Sequence, residues 1–342
     1  MQDKEFRSAP LISVVVIGRN EGERLVRCLA SVAAVSNAGA DLEMIYVDSG
    51  STDDSVANAR RAGAVIRTVQ PIRPCAAVGR NAGLEAARGR FVLFLDGDTI
   101  LHPDFARRAL AHAADPSVAV VWGHRRELRP QDSIYNRVLD LDWVFPTGET
   151  AYCGGDALMR REVLAQVGGF DETLIAGEEP ELCRRIRGAG CRILHIDAPM
   201  TGHDLAIRKF SQYWRRAFRS GHAYAELATR FAHTADPLWR AEAARSALHG
   251  GAVLALPLAA MAGAAAFSSA VPVALLGAAV AAVVARSAVR ARWKDPSLAT
   301  RLAYATHSHL QQLPILAGQM AFHLDRLRGR RRALIDYKEG TR

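Results

Sequence analysis

Phe91-Val-Leu-Phe-Leu95 is a bounded apolar run that stops abruptly at Asp96-Gly97-Asp98. A run of that length and type reads as a fully buried strand, and ligands of open α/β sheets collect at the carboxyl ends of strands. Two aspartates with only a glycine between them suit a hard divalent cation carrying phosphate oxygens. A solvated turn is the plainer reading, since Asp and Gly are common turn residues. A second acidic cluster, Gly177-Glu178-Glu179-Pro180-Glu181, opens a helical pattern that ends at Gly188 to Gly190. The residue before a proline avoids the α region and proline favours the first helical position, so Glu179 is expected at the N-cap. The positive end of the helix dipole should then hold its carboxylate ionised. Capping alone accounts for the same residue. His203, in Met200-Thr-Gly-His-Asp204, is expected in a loop, as a structural histidine or as a metal ligand.

These groups need elements to position them. Leu11 to Ile17 is a β-branched run followed by the polar turn Gly18-Arg19-Asn20-Glu21-Gly22 and a helical pattern through Leu25, Leu29 and Val32. Glu43 to Asp48 repeats the plan, with Ser49 to Thr52 as turn before a helix ending near Gly63. Ala64 to Val69, Val118 to Trp122 and Arg192 to Ile196 read as further strands, and a helix runs from after Pro74 to Gly89. Strands alternating with helices predict an α/β fold with right-handed crossovers and a mostly parallel sheet. Asn20 with Glu21, Asp48, and Asp96 would then share one edge, although turn or cap roles account for each alone. Residues 124 to 150 are irregular. Gly154-Gly155-Asp156 permits close backbone approach and reads equally as a substrate-facing loop or a tight turn.

The 342 residues carry a formal charge of +9, which favours an anionic partner: a phosphorylated substrate, an anionic membrane surface, or nucleic acid. No arginine-and-aromatic nucleic-acid module is present, so nucleic acid is not expected. Five cysteines, with no C-x-x-C pair and no zinc spacing, read as reduced thiols in the cytosol. Met1 to Pro10 mixes charged residues before any apolar run, and no signal peptide is expected there. Phe210 to His222 combines aromatics with cations at helical spacing, so Trp214, Arg215 and Arg216 suit a membrane surface or a diphosphate. Ser246 to Ala285 holds no charged residue and divides into Ser246 to Phe267 and Val271 to Ala285, broken at Ser268-Ser269. Basic residues flank the pair, which predicts a membrane hairpin with both ends in the cytosol; a buried Ala-rich helix pair is the alternative. Leu310 to Leu324, followed by a polybasic run to Arg332, reads as an interfacial helix. The expected division is therefore 1–235, 236–295 and 296–342.

Taken together, Ser13-Val-Val-Val-Ile-Gly-Arg-Asn20-Glu21, Val47-Asp48-Ser-Gly-Ser-Thr-Asp53, Gly79-Arg80-Asn81-Ala-Gly83, Asp96-Gly-Asp98 and Gly177-Glu-Glu-Pro-Glu-Leu182 resemble, in order, the motifs of the family 2 glycosyltransferases. These are nucleotide-sugar enzymes of the GT-A fold, and the resemblance covers roughly residues 11 to 220. It implies that Asp48 contacts the nucleobase, Asp96 the ribose or metal, and Asp98 the Mg2+ or Mn2+ that bridges the diphosphate, with Asn20, Glu21, Arg80 and Asn81 beside the nucleotide. It implies that Glu179 is the general base of a single inverting displacement and that His203 is a further metal ligand. Gly155, Asp156, Glu178, Trp214, Arg215 and Arg216 are candidates for acceptor or diphosphate contacts. Glu in place of the family's Asp at 179 changes reach by one methylene. Gln212-Tyr-Trp214-Arg215 resembles the Gln-x-x-Arg-Trp motif of processive synthases only in part, because Trp precedes Arg, and a single transfer is expected.

The expectation is an inner-membrane transferase with a cytoplasmic catalytic domain, a nucleotide-diphosphate sugar as donor and a lipid-linked or saccharide acceptor. Transfer to a polyprenyl phosphate and a non-catalytic, membrane-anchored nucleotide-binding protein are the alternatives. Leu95-Asp96-Gly-Asp98-Thr99 is also similar to the nucleophile motif of aspartyl-phosphate hydrolases, but Ile100 stands where those enzymes place Thr or Val.

Overall fold

A computed structural model describes residues 11–37, 41–70 and 75–330. Pro74 and the end of the basic tail, from Arg331 onward, lie outside the described residues, as does the segment Met1 to Pro10. The chain forms two compact units, one of Met1–Leu128 with Phe145–Asp204 and one of Arg129–Val144 with Leu205–Arg342.

The first unit opens with β1 (Ile12–Gly18), α1 (Glu23–Asn37), β2 (Leu42–Asp48), α2 (Ser55–Arg61), β3 (Val65–Thr68), α3 (Ala76–Ala86) and β4 (Phe91–Asp96). Val14 to Val16 and Val92 to Phe94 are fully buried, as the continuous apolar runs require when helices cover both faces of a sheet. The strands β3-β2-β1-β4 are all parallel. Next come β5 (Thr99–Leu101), α4 (Phe105–Ala113), β6 (Val118–Glu127), and, after the excursion into the second unit, β7 (Gly148–Glu149), β8 (Ala157–Arg160), α6 (Arg161–Val167), α7 (Glu178–Gly188) and β9 (Arg192–His203). β8 enters antiparallel between β4 and β6, β9 lies parallel to β6, and β5 and β7 pair antiparallel with β9. The sheet is thus mixed, parallel in its first half. β8 escapes the sequence pattern because it is only four residues long, all buried, with no helix leading into it.

Two differences bear on the site. β9 runs twelve residues, so His203 ends a strand rather than sitting in a loop, and it pairs in register with Thr99. Residues 124 to 127, irregular by sequence, continue β6. Both extensions are held by β6–β9 pairing, a long-range partnership that local pattern does not encode.

The second unit consists of α5 (Ile134–Asp140) with a following 3-10 turn over Leu141–Trp143, then α8 (Phe210–Arg230), α9 (Arg240–Ala266), α10 (Val271–Arg290), α11 (Leu298–Leu310) and α12 (Gln312–Leu327). Residues 205–235, grouped by sequence with the catalytic part, pack here. Arg240–Ala266 and Val271–Trp293 are long and apolar enough to cross a membrane, with mean hydropathy 1.5 and 1.9. Leu254, Leu258, Met261, Leu275 and Val280 are exposed along them, an apolar surface far larger than isolated surface residues account for. α12 buries Pro314, Ile315, Gly318 and Gln319 and packs against α8. The crossing is close because it is built on glycine. A Cβ at Gly221 would lie 2.0 Å from the carbonyl oxygen of Ile315, and one at Gly318 would lie 2.0 Å from that of Phe218.

Backbone cannot yield as a side chain can, so Gly318→Ala is expected to destabilise the chain by about 1–3 kcal/mol through overpacking. Gly251→Ala, on α9 with nothing within 4 Å of the added carbon, should cause no loss. Unfolding midpoints of the two variants in the same detergent compare them directly; equal midpoints would contradict the glycine-dependent crossing.

Candidate active site

The turn Gly97-Asp98 joins β4 to β5 and is pinned on both sides. The N–H of Gly97 donates to the Ile17 carbonyl at 2.8 Å, the hydroxyl of Thr99 to the Asp96 carbonyl at 2.8 Å, and the N–H of Asp204 to the Asp98 carbonyl at 3.1 Å. This brings Asp98 against the end of β9. Its buried carboxylate Oδ2 lies 3.3 Å from His203 Nε2, and one ligand atom each from Asp96, Asp98 and His203 fall within 4.8 Å of one another.

α3 runs back along the sheet and delivers Arg80, only 2% exposed, to the same place. Its Nη1 lies 2.9 Å from Glu178 Oε1 and 3.1 Å from Glu179 Oε1, its Nη2 lies 3.1 Å from Asp96 Oδ1, and the guanidinium rests 5.5 Å from the Phe170 ring centroid. Burial disfavours its charge, but Glu179, Asp96 and Glu178 outweigh burial and keep it a cation. On β6, Arg125 places Nη2 3.5 Å from Asp96 Oδ2 and Nε 3.8 Å from Asp156 Oδ2. Burial opposes ionisation of Asp96; Arg80 and then Arg125 prevail and hold its carboxyl below the usual range. Asp156 is fully buried beneath it. One oxygen accepts the Asp96 N–H at 3.1 Å, the other the Thr201 hydroxyl at 2.7 Å, and burial raises its carboxyl to about 6.

α7 begins two residues earlier than the proline rule predicts. Gly177, at φ +87°, is the N-cap, Glu179 is the second helical residue and Pro180 the third. Proline is tolerated there because the first N–H groups of a helix have no intrahelical acceptor. Glu179 is therefore not the cap, and neither is it held simply ionised. Burial and then the neighbouring Glu178 push its carboxyl up to about 7 against the pull of Arg80. Gly155 lies between these groups. A Cβ there would be 2.7 Å from Arg80 Nη2, 3.2 Å from Asp96 Oδ2 and 3.2 Å from Glu179 Oε1, so any side chain would fill the space they enclose.

Five carboxyl groups (Asp96, Asp98, Asp156, Glu178 and Glu179) thus face two guanidinium groups. That surplus of negative charge, with two carboxylates and an imidazole converging, is a donor set that fits a divalent cation.

The neighbouring strand ends form a second cluster. Asp48, at the end of β2, accepts the Tyr46 hydroxyl at 3.1 Å and the N–H groups of Gly50 and Ser51 at 3.0 and 2.9 Å. Asn20, at φ +54°, accepts the Thr52 N–H at 2.7 Å and donates its own to Ser51 Oγ at 2.9 Å, tying the turn after β1 to the turn after β2. Glu21 pairs with Arg24 at 3.0 Å. Asn81 is placed differently from the expectation. Its amide oxygen accepts the Phe170 N–H at 2.8 Å while its nitrogen donates to the Phe170 carbonyl at 2.9 Å and to Glu172 at 2.8 Å. It closes the loop before α7, since its polar atoms are taken up by the Phe170 backbone and the Glu172 carboxylate. Trp214, Arg215 and Arg216 lie on α8 in the second unit, where Arg215 Nε donates to the Ser211 carbonyl at 3.3 Å. Sequence reasoning missed Arg125, Thr201 and Phe170; only the arginine-rich stretch 124–129 hinted at the first.

Residues 13–168 match the family model described as glycosyl transferase family 2. The pre-mycofactocin glycosyltransferase of Mycobacterium tuberculosis is 30% identical over 259 residues, covering 71% of this chain and 51% of that protein. The O-antigen biosynthesis protein RfbC of Myxococcus xanthus is 32% identical over 199 residues, covering 56% of this chain and 16% of that one. The chain spans about half the length, or less, of these curated relatives. Among solved structures, the mannosyltransferase PcManGT of Pyrobaculum calidifontis, in complex with GDP-Man and Mn2+, is similar with a TM-score of 0.63 at 23% identity, covering 93% of this chain and 88% of that one. The mixed sheet that places Asp96, Asp98 and His203 at one edge is of the GT-A type, and residues 13–168 are the part of the chain that matches glycosyl transferase family 2.

Proposed function

We propose that the chain is an inverting, metal-assisted glycosyltransferase that moves one sugar from a nucleotide-diphosphate sugar to a hydroxyl of a lipid-linked or cell-envelope glycan. The observation that carries the reading is the pairing, across Arg80 and Gly155, of the Asp96-Asp98-His203 cluster with a glutamate poised at about 7. The family match over residues 13–168 supports the donor class, as do GDP-Man and Mn2+ in the neighbour of like fold. The O-antigen relative and the two apolar helices support an envelope acceptor and a membrane anchor, with the catalytic unit on the cytoplasmic side of the inner membrane.

Asp96, Asp98 and His203 would hold the cation, which when bound supplies Lewis-acid charge to the departing diphosphate. The imidazole suits Mn2+ better than Mg2+. Asp48 and Asn20 build the strand-end cluster proposed to receive the nucleoside. Glu179 accepts the proton of the acceptor hydroxyl as its oxygen attacks the anomeric carbon. The bond from that carbon to the diphosphate oxygen breaks in the same step and the electron pair leaves with the diphosphate, which inverts the centre. Arg80 orients the accepting carboxylate and remains charged throughout. A polyprenyl phosphate acceptor is already anionic and would need no such base.

Glu179→Gln should lower kcat/KM by about 10²- to 10⁴-fold, the usual worth of a general base, while nucleotide-sugar binding persists. Asp98→Ala should abolish the Mn2+-dependent rise in melting temperature that a bound nucleotide sugar produces by mass action. Wild-type turnover by Glu179→Gln would remove the base and favour a phosphate acceptor.

The pH profile tests the same group. A base works deprotonated, so kcat/KM should rise with pH and level off above an inflection at about 7. Glu178, Arg80 and Asp96 are the charged side chains that act on Glu179. Glu178→Gln removes a like charge and a competitor for Arg80, and both effects favour the ionised form, so its inflection should move to lower pH. A profile unchanged by Glu178→Gln would contradict the assignment.

A further inference from the structure

The second unit contains a cavity of about 320 Å³ that the reaction does not use, bounded by α5 with its 3-10 turn, α8, α9 and α12. Ligand sites run from about 300 to 1,000 Å³, so this one suits a small molecule. Its wall is polar. Asp142, Arg216, Ser220, Tyr224, Ser246 and Gln312 line it, over an apolar floor that includes Leu139 and Ala217. The charges balance, one carboxylate against one guanidinium. Burial, and then Asp142, push the hydroxyls of Tyr213 and Tyr224 up, so both remain O–H groups at neutral pH. Ser220 donates to the Arg216 carbonyl at 3.3 Å, which leaves its oxygen as an acceptor. Gln312 donates from Nε2 to the Ser308 carbonyl at 3.1 Å, and its Oε1 is buried with no hydrogen-bond partner among the described residues. A buried acceptor left in that state is costly and favours any occupant that brings a donor.

We infer that this cavity binds a neutral polyhydroxylated ligand of the size of a pyranose sugar. Phosphate supplies acceptors and negative charge, and it would meet Asp142 and the unmet Gln312 oxygen. An ammonium ligand would meet Arg216. A hydroxyl both donates and accepts, so a sugar ring matches a wall in which carboxylate and amide oxygens alternate with phenol, hydroxyl and guanidinium donors. The tyrosine rings and the apolar floor offer C–H faces of the ring an apolar surface. Holding a sugar unit of the acceptor glycan is the use this has in a glycan-extending enzyme. That use rests on the proposed transfer; the binding itself does not.

Saturation-transfer NMR on the full chain, purified in a detergent with no sugar headgroup and without nucleotide, tests the inference with a panel of methyl hexopyranosides and methyl 2-acetamido-hexopyranosides. At least one should receive saturation from the wild-type protein. Gln312→Leu, which removes the unmet acceptor, should weaken that ligand about tenfold, the worth of a hydrogen bond. Ala217→Trp, which narrows the cavity, should weaken it as well, with circular dichroism confirming that the helices persist. Excess inorganic phosphate should not compete. Silence from the whole panel, equal transfer to both variants, or displacement by phosphate each overturns the assignment. Sugar binding in a protein that transfers from no nucleotide sugar would leave the cavity standing and remove the transfer reading alone.

Discussion

The site depends on one buried cation. Arg80 sits at 2% exposure within hydrogen-bond distance of Asp96, Glu178 and Glu179, which come from β4 and the first turn of α7, 16 to 99 residues away in the chain. Carboxylates brought this close repel one another and lose hydration, and no arrangement of loops alone would hold them. The guanidinium fork makes the packing feasible because it offers several donors in one plane. Neither hydrophobic burial nor strand pairing could supply that. The sheet brings the acids to one edge, and Arg80 allows them to stay there.

The same interaction explains why the glutamate is neither a cap nor a plain carboxylate. A helix N-terminus and a guanidinium both favour ionisation, while burial and Glu178 oppose it, and the opposing pair wins by enough to reach about 7. The extra methylene of Glu relative to Asp matters here. It lets a residue in the second helical position reach Arg80 at 3.1 Å while Pro180 follows it in the same turn.

What the sequence made legible follows from how local each signal is. The strand ending at Asp96, the βα repeats before it and the acidic start of α7 are written in contiguous residues, and they were readable. β8 was not, because Ala157-Leu-Met-Arg160 is too short to show a period and owes its state to β4 and β6 on either side. His203 was assigned to a loop since nothing nearby reveals that β9 continues; its partner Thr99 is over a hundred residues earlier. Asn81 beside Arg80 illustrates the converse limit. Two adjacent residues of one motif face opposite duties, one to the acids and one to the backbone of Phe170, and helical geometry separates them only once α3 is docked. Arg216 likewise carried a charge whose surroundings became visible only when α8, α9 and α12 met around it.

The two units solve the problem of polar groups indoors by different means. In the first, carboxylates outnumber their guanidinium partners, and the imbalance is itself functional, since it leaves a place for positive charge to enter with the donor. In the second, glycines let α8 and α12 approach until backbone nearly touches backbone, while a polar cavity stays open between the same helices. The same packing that tolerates no added methyl at Gly318 leaves a void of about 320 Å³ beside Ala217, which larger residues there would narrow. A helix bundle that is tight where glycines stand, and open beside Ala217, Ser220 and Ser246, has its opening maintained by the choice of small and polar residues around it. Such a choice works against stability, because the wall groups give up hydration without full pairing. An occupant that returns those hydrogen bonds removes the conflict.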